Sequence, residues 1–208
     1  MRLHFHPLSS YSRKTAIGIA LRGDAVELRQ LDLQAGELKS PAFQSMNPFG
    51  KMPVLEVPGD APIFESTSIL EYLEDRGPRR LLPAGQERRA RHFDRIADLY
   101  LLEPIGDYFW DKRDEMREKA EKTTSLAWKL FESELGDGRK FMCGDEITLA
   151  DLSAAVGGHY ARTEQLPLPD AISRYIDRLE THPEVRASRD AAMPFVEATR
   201  PRRTSAAK

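Results

Sequence analysis

Leu3 and Phe5 alternate with His4 and His6 at the start of the chain, the two-residue period of a short strand over residues 2–6 that Pro7 stops. Ser9 and Ser10 then lead a stretch in which Ala16, Ile17, Ala20 and Leu21 recur at helical spacing, up to Gly23. Val26, Leu28 and a shifted Leu31 read as a second strand. Ser40-Pro41 reads as a cap with proline at the first helical position, opening a short helix that cannot pass Asn47-Pro48. Residues 53–57 and 62–64 flank a Pro58-Gly59-Asp60 turn and predict a hairpin. A helix over 66–75, with Ile69, Leu70 and Leu73 inward, ends at Gly77-Pro78. The order β-α-β-α-β-β-α is too short for a doubly wound sheet.

Residues 78–86 (PRRLLPAGQ) have the composition of a linker. Beyond them the period is helical, near 87–117, 120–136, 149–163, 170–180 and 184–197. In Ile147-Thr148-Leu149-Ala150-Asp151-Leu152, Thr148 and Asp151 have capping-box spacing, and Ile147 and Leu152 that of a hydrophobic staple. The tail 201–208 breaks the pattern and is expected to fray. The fold class expected is therefore α/β plus all-α, with an α/β domain over 1–77, a linker over 78–86 and an all-helical domain over 87–200.

Composition narrows the function more by exclusion than by indication. The 208 residues fit one large domain or two small ones. Their 31 Lys and Arg against 33 Asp and Glu leave a net charge of −2, which gives no pull toward nucleic acid or anionic lipid. A single cysteine, Cys143, excludes an internal disulfide framework and reads as a buried small hydrophobe. No apolar run reaches spanning length and MRLHFHPLSS has no secretory pattern, so a cytoplasmic protein without a membrane partner is expected. His4 and His6 have no third ligand at metal spacing, and no Gly-x-Ser-x-Gly accompanies His92, His159 or His182; neither a metal site nor a Ser-His-Asp hydrolase is expected.

Four segments, in order, carry a resemblance. Ser9-Ser10-Tyr11-Ser12-Arg13-Lys14 follows the first strand, and Asn47-Pro48-Phe49-Gly50-Lys51-Met52-Pro53-Val54-Leu55 leads into the hairpin. Glu65-Ser66-Thr67-Ser68-Ile69-Leu70 opens the helix after it, and Thr148-Leu149-Ala150-Asp151 opens one in the helical half. Together they resemble the glutathione transferases, of the cytosolic, bacterial, serine-type branch. The resemblance implies a thioredoxin-like first domain that binds glutathione as co-substrate, a helical domain holding a small hydrophobic electrophile, no metal, and a homodimer. It implies a cis peptide before Pro53 that exposes the backbone of Met52 to the cysteinyl part of glutathione, with Lys51 near the glycyl end. It gives Glu65 the γ-glutamyl ammonium and Ser66 the carboxylate.

A free thiol with pKa near 8.5 is mostly protonated at pH 7, so the enzyme must favour the thiolate. A hydroxyl donor and a helix N-terminus both do so. Ser9 is the first choice for that donor, with Ser10 and then Ser12 as alternatives, although a serine at this position is also an ordinary helix cap. Tyr11, Tyr108 and Trp110 are candidate walls of the acceptor pocket. No cysteine lies in residues 7–14, which disfavours thiol–disulfide exchange. Ser9-Ser10-Tyr11-Ser12 is similar to the Ser-Ser-Cys-Ser of the maleylacetoacetate isomerase branch, with Tyr11 in place of cysteine. A glutathione-dependent isomerase and a glutathione-binding or protein-interaction module of the same fold are the competing readings.

Overall fold

The computed structural model describes residues 1–77 and 80–206. Residues 78–79 of the expected linker and 207–208 of the expected tail lie outside the described residues. The chain divides into two compact units, one ending at Arg79 and the other starting at Arg80.

The first unit is built on a four-stranded sheet of order β2-β1-β3-β4. Strand β1 (Arg2–Phe5) is joined by helix α1 (Ser10–Arg22) to a parallel partner, β2 (Glu27–Gln30). A short 3-10 turn and helix α2 (Pro41–Met46) then lead to the antiparallel hairpin of β3 (Val54–Glu56) and β4 (Ile63–Phe64). Helix α3 (Ser66–Glu74) closes the unit. Gly23, left-handed at φ 71°, ends α1 as a C-cap, and Ser40 caps α2 through its hydroxyl, as their positions in the sequence require.

Alternation along the strands feeds two layers. Leu3 and Leu55 pack with Ile19, Ile69 and Leu73 from α1 and α3, while Val54 packs with Leu31 and Phe43 on the opposite face. Both faces are thus covered, and the shared face of His4 and His6 takes a structural place in the core. Both are buried; the His4 ring meets Phe43 edge-on, and its Nε2 lies 2.9 Å from Glu56. The inward face of α1 also differs from expectation, since Ala20 is exposed while Ser12, Arg13, Lys14 and Thr15 are buried. Thr15 is satisfied locally, its hydroxyl donating to the Tyr11 carbonyl at 3.0 Å.

The second unit is helical. Its first element is α4 (Glu87–Ala97), which passes through a π segment (Asp98–Leu102) into α5 (Glu103–Trp110). Pro104, in the first turn of α5, has no N–H to continue the α ladder across this junction. The helix expected to run from 87 to 117 stops at Trp110. The Asp111 side chain accepts from the Arg113 amide at 3.2 Å, and a new helix, α6 (Asp114–Leu135), starts ahead of the expected residue 120. Leu81 and Leu82, expected in the linker, are buried, and the Leu81 carbonyl accepts from the Leu149 amide at 2.9 Å.

Helix α7 (Leu149–Thr163) is the buried centre of this unit. Leu101 and Leu102 pass so near Gly157 that a Cβ there would lie 3.3 Å from Leu101, and a Cβ on Gly158 would collide with Ile176. Helices α8 (Asp170–Leu179) and α9 (Pro183–Ala206) complete the unit, the backbone of α9 continuing into the segment expected to fray.

The capping box at the start of α7 forms, and its carboxylate does more than cap. Asp151, fully buried, accepts from the Thr148 amide and hydroxyl at 2.8 and 2.9 Å, the Met142 amide at 2.9 Å and the Tyr175 hydroxyl at 2.6 Å. Burial raises the pKa of Asp151 and pushes that of Tyr175 well above the usual tyrosine range. Cys143, in the adjoining turn, is half-buried rather than enclosed; burial pushes its thiol up, so it is a poor nucleophile at neutral pH.

Candidate functional site

Strand register gathers the three chemistry-bearing segments of the first unit. The pairing His4↔Val54 sets the beginning of β3 beside the end of β1, and Val54↔Phe64 sets the end of β4 beside the same point. The chain leaving β1 toward Ser9, the chain entering β3 through Met52-Pro53, and the chain leaving β4 through Glu65-Ser66 therefore meet at one end of the sheet. Helices α1 and α3 both begin there, so the positive ends of two macrodipoles share the site.

Ser9 is the N-cap of α1, and its Oγ accepts from the Ser12 amide at 3.2 Å. The cap uses a lone pair and leaves the O–H able to donate elsewhere. Ser10 is half-buried at the first helical position. Ser12 is fully buried and its hydroxyl has no partner, so it is enclosed in the unit rather than open to a ligand arriving from solvent. Upstream, His6 shapes the approach: its Nδ1 accepts from the Leu8 amide at 3.1 Å and its carbonyl accepts from the Ser9 amide at 3.0 Å. Burial lowers the pKa of His6, in keeping with an Nδ1 that must stay unprotonated to accept. Tyr11 is half-buried on the first turn of α1.

The Met52–Pro53 peptide is cis. Pro53 is buried, Met52 is half-buried and Lys51 is exposed. The turn before them is organised by Asn47, only 2% exposed, whose side chain donates to the Lys51 carbonyl at 2.7 Å and accepts from the Phe49 amide at 3.1 Å. Ladder pairing of β3 starts at Val54, so Met52 lies just outside the sheet.

Glu65 is exposed and has φ 74°, a left-handed conformation unfavourable for a residue with a Cβ. It holds the N-cap position of α3 without a side-chain bond into the helix, which leaves its carboxylate available. Ser66 follows at the first helical position and is buried to 4% exposure. Next to it, Thr67 accepts a hydrogen bond at 2.8 Å from Nζ of Lys14, a fully buried lysine of α1.

The candidate wall residues of the second unit divide. Tyr108 is enclosed: the Lys112 ammonium lies 3.9 Å from its ring centre, and its hydroxyl meets Arg117 at 3.3 Å. Trp110 is 56% exposed, its ring edge on Phe109. Tyr108 is thus committed to packing and a cationic cover, while Trp110 presents aromatic surface to solvent.

Asn47, His6 and Lys14 join the site only through the fold. Asn47 before Pro-Phe-Gly carries a turn signal that would have found it. Lys14 carries none, because a lysine on a helix ordinarily faces water. Among the described residues no cluster of three or more metal-ligating side chains occurs, and no helix is long and apolar enough to cross a membrane.

Residues 8–76 match the glutathione S-transferase N-terminal domain and residues 95–183 the glutathione S-transferase C-terminal domain. Glutathione S-transferase 1 of Dianthus caryophyllus is 33% identical over 170 residues, covering 74% of each chain. Glutathione S-transferase 2 of Saccharomyces cerevisiae is 26% identical over 206 residues, 89% of this chain and 88% of the yeast one. Among solved structures, maleylacetoacetate isomerase from Methylobacterium extorquens AM1, with bound malonate and GSH, superposes with a TM-score of 0.76 at 23% identity, over 92% of this chain and 97% of that one.

Proposed function

The chain belongs to the glutathione S-transferase family, and on that premise we propose that it joins the thiolate of glutathione to a small hydrophobic electrophile, acting in the cytoplasm as a homodimer. Residues 1–77 are the glutathione-binding domain in this reading, and 87–200 supply the acceptor pocket, with Trp110 as its exposed aromatic. The observation that carries it is the meeting of Ser9, Met52 and Ser66 at one sheet end where two helices begin.

Each residue then has a role. The Ser9 hydroxyl, already accepting from the Ser12 amide, donates its proton in a hydrogen bond to the glutathione sulfur and favours the thiolate. Ser10 is the alternative donor, one position on. The Met52 backbone pairs with the cysteinyl unit as a short added strand, Pro53 fixes the turn, and Lys51 meets the glycyl carboxylate. Glu65 takes the γ-glutamyl ammonium, and the Ser66 hydroxyl and amide take its carboxylate at the N-terminus of α3. The sulfur lone pair forms the new bond to the electrophilic carbon as the acceptor's leaving group departs or its double bond opens. Leu126 and Leu130, exposed one turn apart on α6, support the homodimer as apolar surface that a second copy would cover.

A thiolate-absorbance titration of the glutathione complex tests the reading. Bound glutathione is expected to ionise well below the ~8.5 of a free thiol. Ser9→Ala is expected to bring the pKa part of the way back while leaving affinity nearly unchanged, and Ser10→Ala tests the neighbouring position. A wild-type complex that titrates like free glutathione would make the protein a binding module rather than a transferase.

A further inference from the structure

We propose that Lys14 is a positioning residue for glutathione: its buried ammonium holds Thr67, and through it the first turn of α3, in the place where Ser66 meets the γ-glutamyl carboxylate. The inference rests on the Ser66 assignment above. It starts from an anomaly, since Lys14 is fully buried in a helix whose exposed face offered its charge free hydration. Its Nζ reaches across to Thr67 Oγ1 at 2.8 Å, a link between residues 53 positions apart. Thr67 is the second residue of α3, immediately after Ser66.

The bond falls where α3 has no side-chain cap. Glu65, its N-cap, has φ 74° and contributes no side-chain bond to the helix, so the cap itself does not secure this start. The sheet anchors the preceding strand only as far as Phe64. An apolar side chain at position 14 would fill the same space without fixing the rotation of the α3 N-terminus about its axis. A directional bond from Nζ to the Thr67 hydroxyl does fix it, and also sets a positive charge one residue from Ser66. Lys14 makes no contact with the sulfur end in this scheme; its effect reaches the ligand through Thr67 and α3.

The test is a comparison of two ligands by calorimetry: glutathione, and 4-aminobutanoyl-cysteinyl-glycine, which keeps the amine and lacks the γ-glutamyl carboxylate. Lys14→Met is expected to weaken glutathione about tenfold, the size of one lost charge-assisted contact, and to change the analogue by less than about twofold. Turnover should show the same split, with KM for glutathione raised and kcat at saturation nearly unchanged. Equal losses on both ligands, or none, would overturn the proposal. Thr67→Val keeps the lysine and removes this one acceptor, so it remains informative if Lys14→Met does not fold. It is expected to weaken glutathione about threefold and spare the analogue, and an equal effect on both again overturns the proposal. Wild-type protein that binds both ligands equally well would instead remove the carboxylate assignment at Ser66, a failure distinct from that of Lys14.

Discussion

Helices α1 and α7 both start on a hydroxyl cap, and their surroundings are opposite. Ser9 is half-buried and its oxygen accepts one bond, from the Ser12 amide. Thr148 is 2% exposed and lies against a carboxylate that collects four donors from Thr148, Met142 and Tyr175. At α7 the polar groups satisfy one another inside the chain, and no bonding capacity is left for a ligand. At α1 an O–H remains unspent at a sheet end where a second helix N-terminus also lies. Residual capacity, rather than the presence of a cap, separates a site from a joint.

The two helix starts differ most at Asp151. Asp151→Ala strands four buried donors, so the expected loss is about 3 kcal/mol or more, well beyond the ~1 kcal/mol of a lone cap. Chemical denaturation would read it. Below the lowered transition, glutathione affinity should match wild type; a loss in binding would mean that α7's start is not merely structural.

Ser9→Ala should cost about 1 kcal/mol of stability as a lost cap and, unlike Thr148→Ala, should also depress electrophile turnover at pH 6.5. Matched denaturation and rate measurements on the two variants compare the starts directly. Turnover unchanged in both would show that Ser9, like Thr148, serves only as a cap.

Glu65→Gly sharpens the same contrast by opposite signs. Glycine tolerates φ 74° better than a residue with a Cβ, so stability should rise by up to about 1 kcal/mol while glutathione binding weakens. A drop in stability would show that the Glu65 side chain supports the fold.

The smallest effect concerns pH. The folded pKa of His6 lies below its ordinary 6.5 because burial disfavours the charged ring. The unfolded chain therefore binds the proton more readily, so this contribution is complete above about 6.5 and is lost as pH falls through the folded value. His6→Asn, which keeps an acceptor for the Leu8 amide but does not titrate, should flatten the fall of the denaturation midpoint as pH drops through that window. An unchanged slope would show that His6 does not titrate differently on folding.

Local chemistry was legible along the chain wherever a residue acts through its near neighbours. The caps at Ser9, Ser40 and Thr148, the stop at Gly23, the hairpin about Gly59 and the β-α-β-α-β-β-α order depend on steric and hydrogen-bonding preferences that operate over a few residues. The order of motifs was enough to resemble the family. Tertiary structure decided what depends on distant partners. Sheet register brings residues near 9, 52 and 66 to one end, and α2 buries the histidine face of β1. Tyr175 and Met142 turn Asp151 from a cap into a four-donor centre, and Thr67 gives Lys14 a buried partner across 53 positions. A lysine or histidine code is the same in water as in a core; only packing sets its solvation, and with it whether the group anchors the fold or serves the site.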